Sequence, residues 1–97
     1  MSILKTTHAG SKAIPVTSEQ TILDEIAKMG YTYNYTLKCW SCSKNPLPDI
    51  TIAHFYGLNP FYIYVNLTKY NCTTYSIITM YDLFNFIEDM KKKYVNS

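Results

Sequence analysis

The chain of 97 residues is long enough for one compact domain and too short for two hydrophobic cores of ordinary size. Apolar residues make up 47% of it and charged residues only 16%, and these values exclude an intrinsically disordered protein. The formal net charge is +2, and all nine basic residues are lysines, so the planar, bidentate phosphate recognition typical of arginine is excluded.

The N-terminal residues 1–16 show no clear hydrophobic period and contain no long apolar stretch of the kind found in signal peptides. Pro15 would restrict residues 13–16 to the edge of a sheet, because proline cannot donate a ladder hydrogen bond. We therefore predict a partly flexible arm over residues 1–16 and a single α+β domain over residues 17–97. No segment is apolar over the roughly 18 residues that a membrane span needs, so we expect a cytoplasmic protein.

A first helix is predicted over residues 18–29. Thr17 and Gln20 have the spacing of a capping box, and Gly30 supplies the residue that commonly closes a helix. The apolar residues that recur at helical intervals are Ile22, Ile26 and Met29.

From Tyr31 the hydrophobic period changes to two, because aromatic or apolar residues alternate with polar ones as far as Cys39. This alternation predicts one continuous strand over residues 31–39. The following segment, residues 41–49, contains Pro46 and Pro48 and is predicted to be a loop.

Two further strands are predicted over residues 50–56 and 61–68, joined by a four-residue hairpin turn at Gly57–Pro60. If Tyr56 pairs with Phe61, Ile52 lies opposite Val65, and apolar side chains meet on one face of the hairpin.

A fourth strand is predicted over residues 73–78, and a second helix begins after it. Thr79 and Asp82 form its predicted capping box. Its apolar stripe consists of Leu83, Phe86, Ile87, Met90 and Tyr94. The predicted fold is α+β: a four-stranded antiparallel meander sheet flanked in sequence by two helices (α-β-β-β-β-α), both packed on one face of the sheet.

The strongest local motif is Cys39-Trp40-Ser41-Cys42. Together with His54 and Cys72, its two thiols could bind tetrahedral zinc, but Cys72 has no cysteine close to it in sequence. Cys39 and His54 could also act as a nucleophile and its base, although only Asp49 is near in sequence to orient the histidine. We favour structural thiols, and we predict that the chain is not an enzyme and holds no cofactor or metal.

Single-stranded nucleic acid is an alternative ligand, because Phe55, Tyr62 and Tyr64 share one predicted sheet face and could stack unpaired bases. Trp40 could lie beside them. Residues 31–81 carry only four charged side chains, namely Lys38, Lys44, Asp49 and Lys69. Few cations are therefore available to neutralise a phosphate backbone, which is the main source of non-specific affinity.

We therefore predict a small non-enzymatic protein-binding module that uses Trp40, Phe55, Tyr62 and Tyr64 to hold a protein partner or a second copy of itself. Lys, Asn, Ile and Tyr are abundant, which indicates AT-rich coding. That bias suits a protein of a virus, phage or mobile element that binds and inhibits a host protein in the host cytoplasm. A nucleic-acid-binding protein and a small zinc-binding domain are the alternatives; no membrane partner is expected.

Overall fold

The computed structural model describes residues 14–44, 46–55, 60–68 and 70–95. Its elements, in chain order, are α1 (Glu19–Lys28), β1 (Tyr31–Asn34), β2 (Cys39–Cys42), β3 (Ile50–Ala53), β4 (Phe61–Val65), β5 (Thr73–Ile77), α2 (Met80–Met90) and a short π-helical extension (Lys91–Val95). The strands form one antiparallel sheet in the order β1-β2-β3-β4-β5. The α+β meander is confirmed, but the sheet has five strands instead of the predicted four.

The extra strand arises where the sequence predicts one continuous strand over residues 31–39. The chain instead turns back after Asn34, and β1 pairs along its whole length with β2, from Tyr31 opposite Cys42 to Asn34 opposite Cys39. Apolar and polar residues alternate through the turn as they do in the strands, so the sequence pattern does not reveal it.

The turn between β1 and β2 is fixed by Asn34. Its side-chain Oδ1 accepts hydrogen bonds from the backbone N–H groups of Thr36 (3.0 Å) and Leu37 (2.9 Å). Its backbone carbonyl accepts another from Lys38 (2.7 Å), which has a positive φ of 57°. An asparagine that binds the backbone two and three residues ahead favours a turn over an extended strand.

The pairing of β3 with β4 differs from the predicted register by two residues. Ile52 lies opposite Ile63, not Val65, and Val65 lies opposite Ile50. The reason is that β3 ends at Ala53, so the connection to β4 is longer than the predicted four-residue turn. A shift of two leaves every side chain on its predicted face. Residues 56–59, where most of that turn falls, lie outside the described residues.

Both helices pack on the same face of the sheet, as predicted. Buried side chains of the helices and of that face form one hydrophobic cluster, which holds Val16, Ile22, Ile26, Met29, Tyr31, Leu47, Ile50, Phe61, Ile63, Val65, Ile77, Leu83, Phe86, Ile87 and Met90. We call this side of the sheet the inner face and the opposite side the outer face. Within the described residues, neither helix has the length and apolar character that crossing a membrane would require.

The two helices begin differently. At α2 the predicted capping box is present: the Thr79 hydroxyl accepts from the backbone N–H of Asp82 (3.3 Å), and Asp82 Oδ2 accepts from that of Thr79 (2.9 Å). At α1 the predicted Thr17 cap is wrong. The helix begins only at Glu19, so its N-cap residue is Ser18 and not Thr17. The Ser18 side chain makes no capping hydrogen bond.

Residues 14–16 lie beside the end of β5. Val16 N–H donates to the carbonyl of Ile78 (2.8 Å), Met80 N–H donates to the carbonyl of Ile14 (2.8 Å), and Pro15 forms an isolated bridge with Thr79. These contacts agree with the predicted edge position of this segment. The remainder of the predicted flexible arm, residues 1–13, lies outside the described residues.

Candidate functional site

The outer face of the sheet is uncharged. Because successive strand residues point to opposite faces, the residues that alternate with the buried ones belong to this face. They are Thr32, Asn34, Cys39, Ser41, Thr51, Ala53, Tyr62, Tyr64, Thr74 and Ser76. None of these side chains carries a formal charge, and both helices lie on the other side of the sheet.

An aromatic row crosses the outer face. The ring of Phe55 lies 6.0 Å from that of Tyr62, and the ring of Tyr62 lies 6.3 Å from that of Tyr64, with an interplanar angle of 20° between the two tyrosines. Phe55 is 53% exposed, and both tyrosines are half-buried. We call Phe55, Tyr62 and Tyr64 the aromatic row; the sequence correctly predicts that they share a face.

Short side chains flank the aromatic row on the neighbouring strands. Tyr62 lies opposite Ala53 on β3 and Ser76 on β5, while the cross-strand neighbours of Tyr64 are both threonines. Such neighbours are too small to cover an adjacent ring. Part of each tyrosine side chain therefore remains accessible to a molecule that approaches the sheet.

Trp40 does not belong to the aromatic row, contrary to the prediction that it lies beside these residues. It lies opposite Tyr33 on β1 and Ile50 on β3, so its side chain is on the inner face and packs against the core. The physical reason is the unforeseen turn after Asn34, which sets the register of β2 and hence the face of each of its residues.

A second aromatic group, which the sequence analysis missed, surrounds Trp40. The centroid of the Trp40 ring lies 5.1 Å from that of Tyr33, and the centroid of the Tyr33 ring lies 4.8 Å from that of Tyr35. A cavity of about 200 Å³ lies beside Trp40 and is lined by Glu19, Tyr33, Lys38, Cys39, Trp40, Thr51 and Ile52. The cavity lies where β2 and β3 separate, since the only pair between these strands is Trp40 opposite Ile50.

The proposed zinc ligands are not brought together. Cys39 and Cys42 are three residues apart in β2, so Cys39 points to the outer face and Cys42 to the inner face, where its thiol contacts the carbonyl of Met29 (3.5 Å). Cys72 lies before β5, near Thr74. Among the residues that the structure describes, no three His, Cys, Asp or Glu side chains are placed to hold a metal ion.

The suggested pairing of Cys39 with His54 is not formed either. The His54 ring stacks on Phe61, with centroids 3.7 Å apart, and Phe61 belongs to the inner face, whereas Cys39 belongs to the outer face. Nε2 of His54 is buried and has no hydrogen-bond partner among the described residues. The ring therefore serves to pack against the core.

A polar cluster joins β5 to the end of α2. The Tyr75 hydroxyl donates to Oδ2 of Asp89, and Lys93 Nζ lies 3.3 Å from the same oxygen. The hydrogen bond from Tyr75 is the largest cause that lowers the pKa of Asp89, while burial is the main cause that raises the pKa of Tyr75. The sequence analysis missed this cluster, although the spacing of Asp89 and Lys93 is that of a helical ion pair.

No protein-family model matches this sequence, and no curated protein or solved structure is significantly similar to it. Its function is therefore inferred from its own residues. The outer face and the group around Trp40 each hold three aromatic rings, but Glu19 and Lys38 line the cavity beside Trp40, whereas the strand residues of the outer face carry no formal charge.

Proposed function

We propose that this chain is a small non-enzymatic protein-binding module whose outer face holds a protein partner. The observation that carries the proposal is the aromatic row, which lies on an uncharged sheet face that neither helix covers. Aromatic side chains, tyrosine above all, contribute large contact areas at a low cost in side-chain entropy, and protein interfaces are enriched in them. An exposed apolar patch on a small domain favours association.

The absence of charge favours a protein over a nucleic acid as the ligand. Stacking on aromatic rings would suit unpaired bases, but affinity for a nucleic acid depends on cations that neutralise its phosphates. No lysine occurs among the strand residues of the outer face. A protein partner with an uncharged surface, by contrast, needs no cations on the outer face in order to bind to it.

We further propose that the partner is a host protein, which this chain inhibits by occupying its surface in the host cytoplasm. The abundance of Lys, Asn, Ile and Tyr supports this part of the proposal, because AT-rich coding is common in viruses and mobile elements.

The test is capture of a partner by the wild-type protein and by a Tyr62→Ala/Tyr64→Ala variant, with Tyr35→Ala as the matched control. Tyr35 is also a tyrosine and is 83% exposed, but it lies in the β1–β2 turn, away from the aromatic row. We expect the double variant to lose affinity by about 10-fold or more, because truncated central aromatic residues typically cost 1 kcal/mol or more each. The control should bind as the wild type does.

Circular dichroism would show whether the double variant keeps its fold. Equal capture by a folded double variant would contradict the proposal. Titration with a single-stranded oligonucleotide over a series of salt concentrations distinguishes the nucleic-acid alternative: binding at low salt that falls steeply as salt is added would replace the protein partner with a nucleic acid.

A further inference from the structure

Strand β5 forms an edge of the sheet, and the direction of its backbone groups follows from the strand pairing. The N–H of Asn66 donates to the carbonyl immediately before β3 (2.8 Å), so Asn66 directs its backbone groups toward β3. Successive residues direct these groups to opposite sides, and the groups of Val65 therefore point toward β5. Val65 lies opposite Thr73. Thr73 consequently faces β4, whereas Thr74 and Ser76 direct their N–H and C=O groups to the open edge.

The next outward residue along this edge is Ile78, and both of its backbone groups are already bound. Its N–H donates to Oδ2 of Asp82 (2.9 Å), and its carbonyl accepts from Val16 (2.8 Å). Thus the edge is closed at Ile78. In the part of the chain that the structure describes, no segment pairs with the edge beside Thr74 and Ser76.

The open edge has no charge, proline or bulge that would prevent pairing with another strand. Its sequence, Thr73-Thr74-Tyr75-Ser76-Ile77, contains no charge and no proline, and all five residues pair regularly with β4. Natural edge strands are commonly protected by lysines, prolines or bulges, and an edge without them readily accepts another strand.

We propose that β5 pairs antiparallel with β5 of a second copy of this chain, about a two-fold axis that passes beside Tyr75. In this register Thr74 of each copy lies opposite Ser76 of the other, and the outward backbone groups form four hydrogen bonds. A register shifted by two residues would place either Cys72, which precedes the strand, or Ile78, whose groups are bound, in the ladder. The register centred on Tyr75 is therefore the one that satisfies the open edge.

The surroundings of the edge also fit a second copy. A groove of about 350 Å³ runs between β5 and α2, lined by Tyr75, Ser76, Ile77, Asp82, Asn85, Phe86 and Asp89. It would receive the accessible inner-face side chains of the second β5, which are an exposed threonine and a half-buried tyrosine, since the isoleucine of that face is already buried in its own core. The ring of Phe86, which contacts Tyr75 at 4.9 Å, provides an apolar wall for them.

A second copy has an advantage over an unrelated strand, because the same edge is open in both partners. Pairing about a two-fold axis closes the open edge of each copy at once. An unrelated peptide strand could match the backbone of β5 but would close only one such edge.

The proposal goes beyond the outer-face function and does not depend on it. Antiparallel pairing keeps each side chain on its own face. The two outer faces would therefore lie on the same side of one continuous sheet, and both aromatic rows would point in one direction. A partner with two suitable epitopes would then gain avidity.

Sedimentation of the wild type, Ser76→Pro and Ser76→Ala tests the pairing. Proline removes the outward N–H of residue 76 without disturbing the pairing with β4, whereas alanine keeps that N–H and removes only the hydroxyl. We expect the wild type and Ser76→Ala to sediment at twice the monomer mass at high micromolar concentration, and Ser76→Pro to sediment as a monomer. A monomeric wild type, or a folded Ser76→Pro variant that dimerises as the wild type does, would overturn the proposal.

Hydrogen exchange of the wild type keeps the test decisive if Ser76→Pro does not fold. The amides of Thr74 and Ser76 should become protected as protein concentration rises, while the amide of Tyr75, which faces β4, should be protected throughout. Equal exchange of Thr74 and Ser76 at low and high concentration would refute edge pairing. The Tyr62→Ala/Tyr64→Ala variant should still dimerise; if it is monomeric, self-association belongs to the outer face instead.

Discussion

Tyr31 joins the proline-containing loop to the sheet. Its side chain is 2% exposed, and its hydroxyl donates to the carbonyl of Pro48 (2.6 Å). Burial is the main cause that raises the pKa of Tyr31 far above the usual value for tyrosine, and the negative charge that Cys42 and Asp49 can carry adds to it. Because the folded protein disfavours the phenolate, ionisation of this residue favours the unfolded chain.

We predict that Tyr31→Phe lowers the free energy of unfolding by about 1 kcal/mol at neutral pH, since one buried hydrogen bond is lost. The raised pKa of Tyr31 leaves its contribution intact below the unfolded value of about 10 and removes it progressively as the pH rises above that value. The variant should therefore lose less stability than the wild type between about pH 7 and pH 11. Urea unfolding at both pH values measures this difference.

Tyr35→Phe serves as the control, because that side chain lies in an exposed turn. It should unfold as the wild type does at neutral pH. An identical loss of stability at alkaline pH in Tyr31→Phe and the wild type would contradict the role assigned to Tyr31.

At the scale of single residues, the sequence predicts on which face of the sheet a side chain lies where apolar and polar residues alternate within one uninterrupted strand. The aromatic row is correctly placed on one face because β3 and β4 alternate without interruption. Trp40 is misplaced because its face depends on the β1–β2 turn. The separation of Cys39 from Cys42 follows from their odd spacing once both lie in one strand.

At the scale of elements, the β1–β2 hairpin shows how one side chain overrides a pattern. Tyr35 and Leu37 continue the alternation of β1, yet the hydrogen bonds from Thr36 and Leu37 to Asn34 turn the backbone. Alternation reports burial in a regular strand and carries no information about such side-chain contacts to the backbone. The capping box of α2, by contrast, is predicted from spacing alone because both of its partners are local.

We predict that Asn34→Ala lowers the free energy of unfolding by about 1 kcal/mol, because both turn hydrogen bonds accepted by the side chain are lost. Asn34→Asp should retain most of the stability, since a carboxylate oxygen can accept from the same two N–H groups. Thermal unfolding followed by circular dichroism compares the variants. Equal destabilisation by alanine and aspartate would show that the side-chain oxygen does not stabilise the turn.

At the scale of the whole molecule, the inner face is the surface on which all elements depend. Ile63 lies at the centre of β4, is 0% exposed and belongs to the cluster that both helices share. The two helices are thus held by one apolar layer rather than by contacts with separate parts of the sheet. Their placement is predictable from the sequence, because two amphipathic helices need an apolar face and short connections give a single sheet.

We predict that Ile63→Ala lowers the free energy of unfolding by about 2–5 kcal/mol, the usual cost of a cavity at a buried isoleucine. Ile78→Ala is the matched control: the same side chain is removed at a position that is 46% exposed, and the loss should be clearly smaller. Urea unfolding of both variants measures the two losses. Similar values would mean that the inner face is not the main source of stability.

The meander order of the strands has a kinetic consequence. Each strand lies beside its predecessor in sequence, so the sheet can form by closing short loops, which is the condition for rapid folding. The sheet alone, however, leaves its inner face in water, and α2 follows every strand in the chain. We therefore expect closure of the hairpins to set the rate of folding, whereas the inner face, which α1 also contacts, is fully covered only when α2 docks.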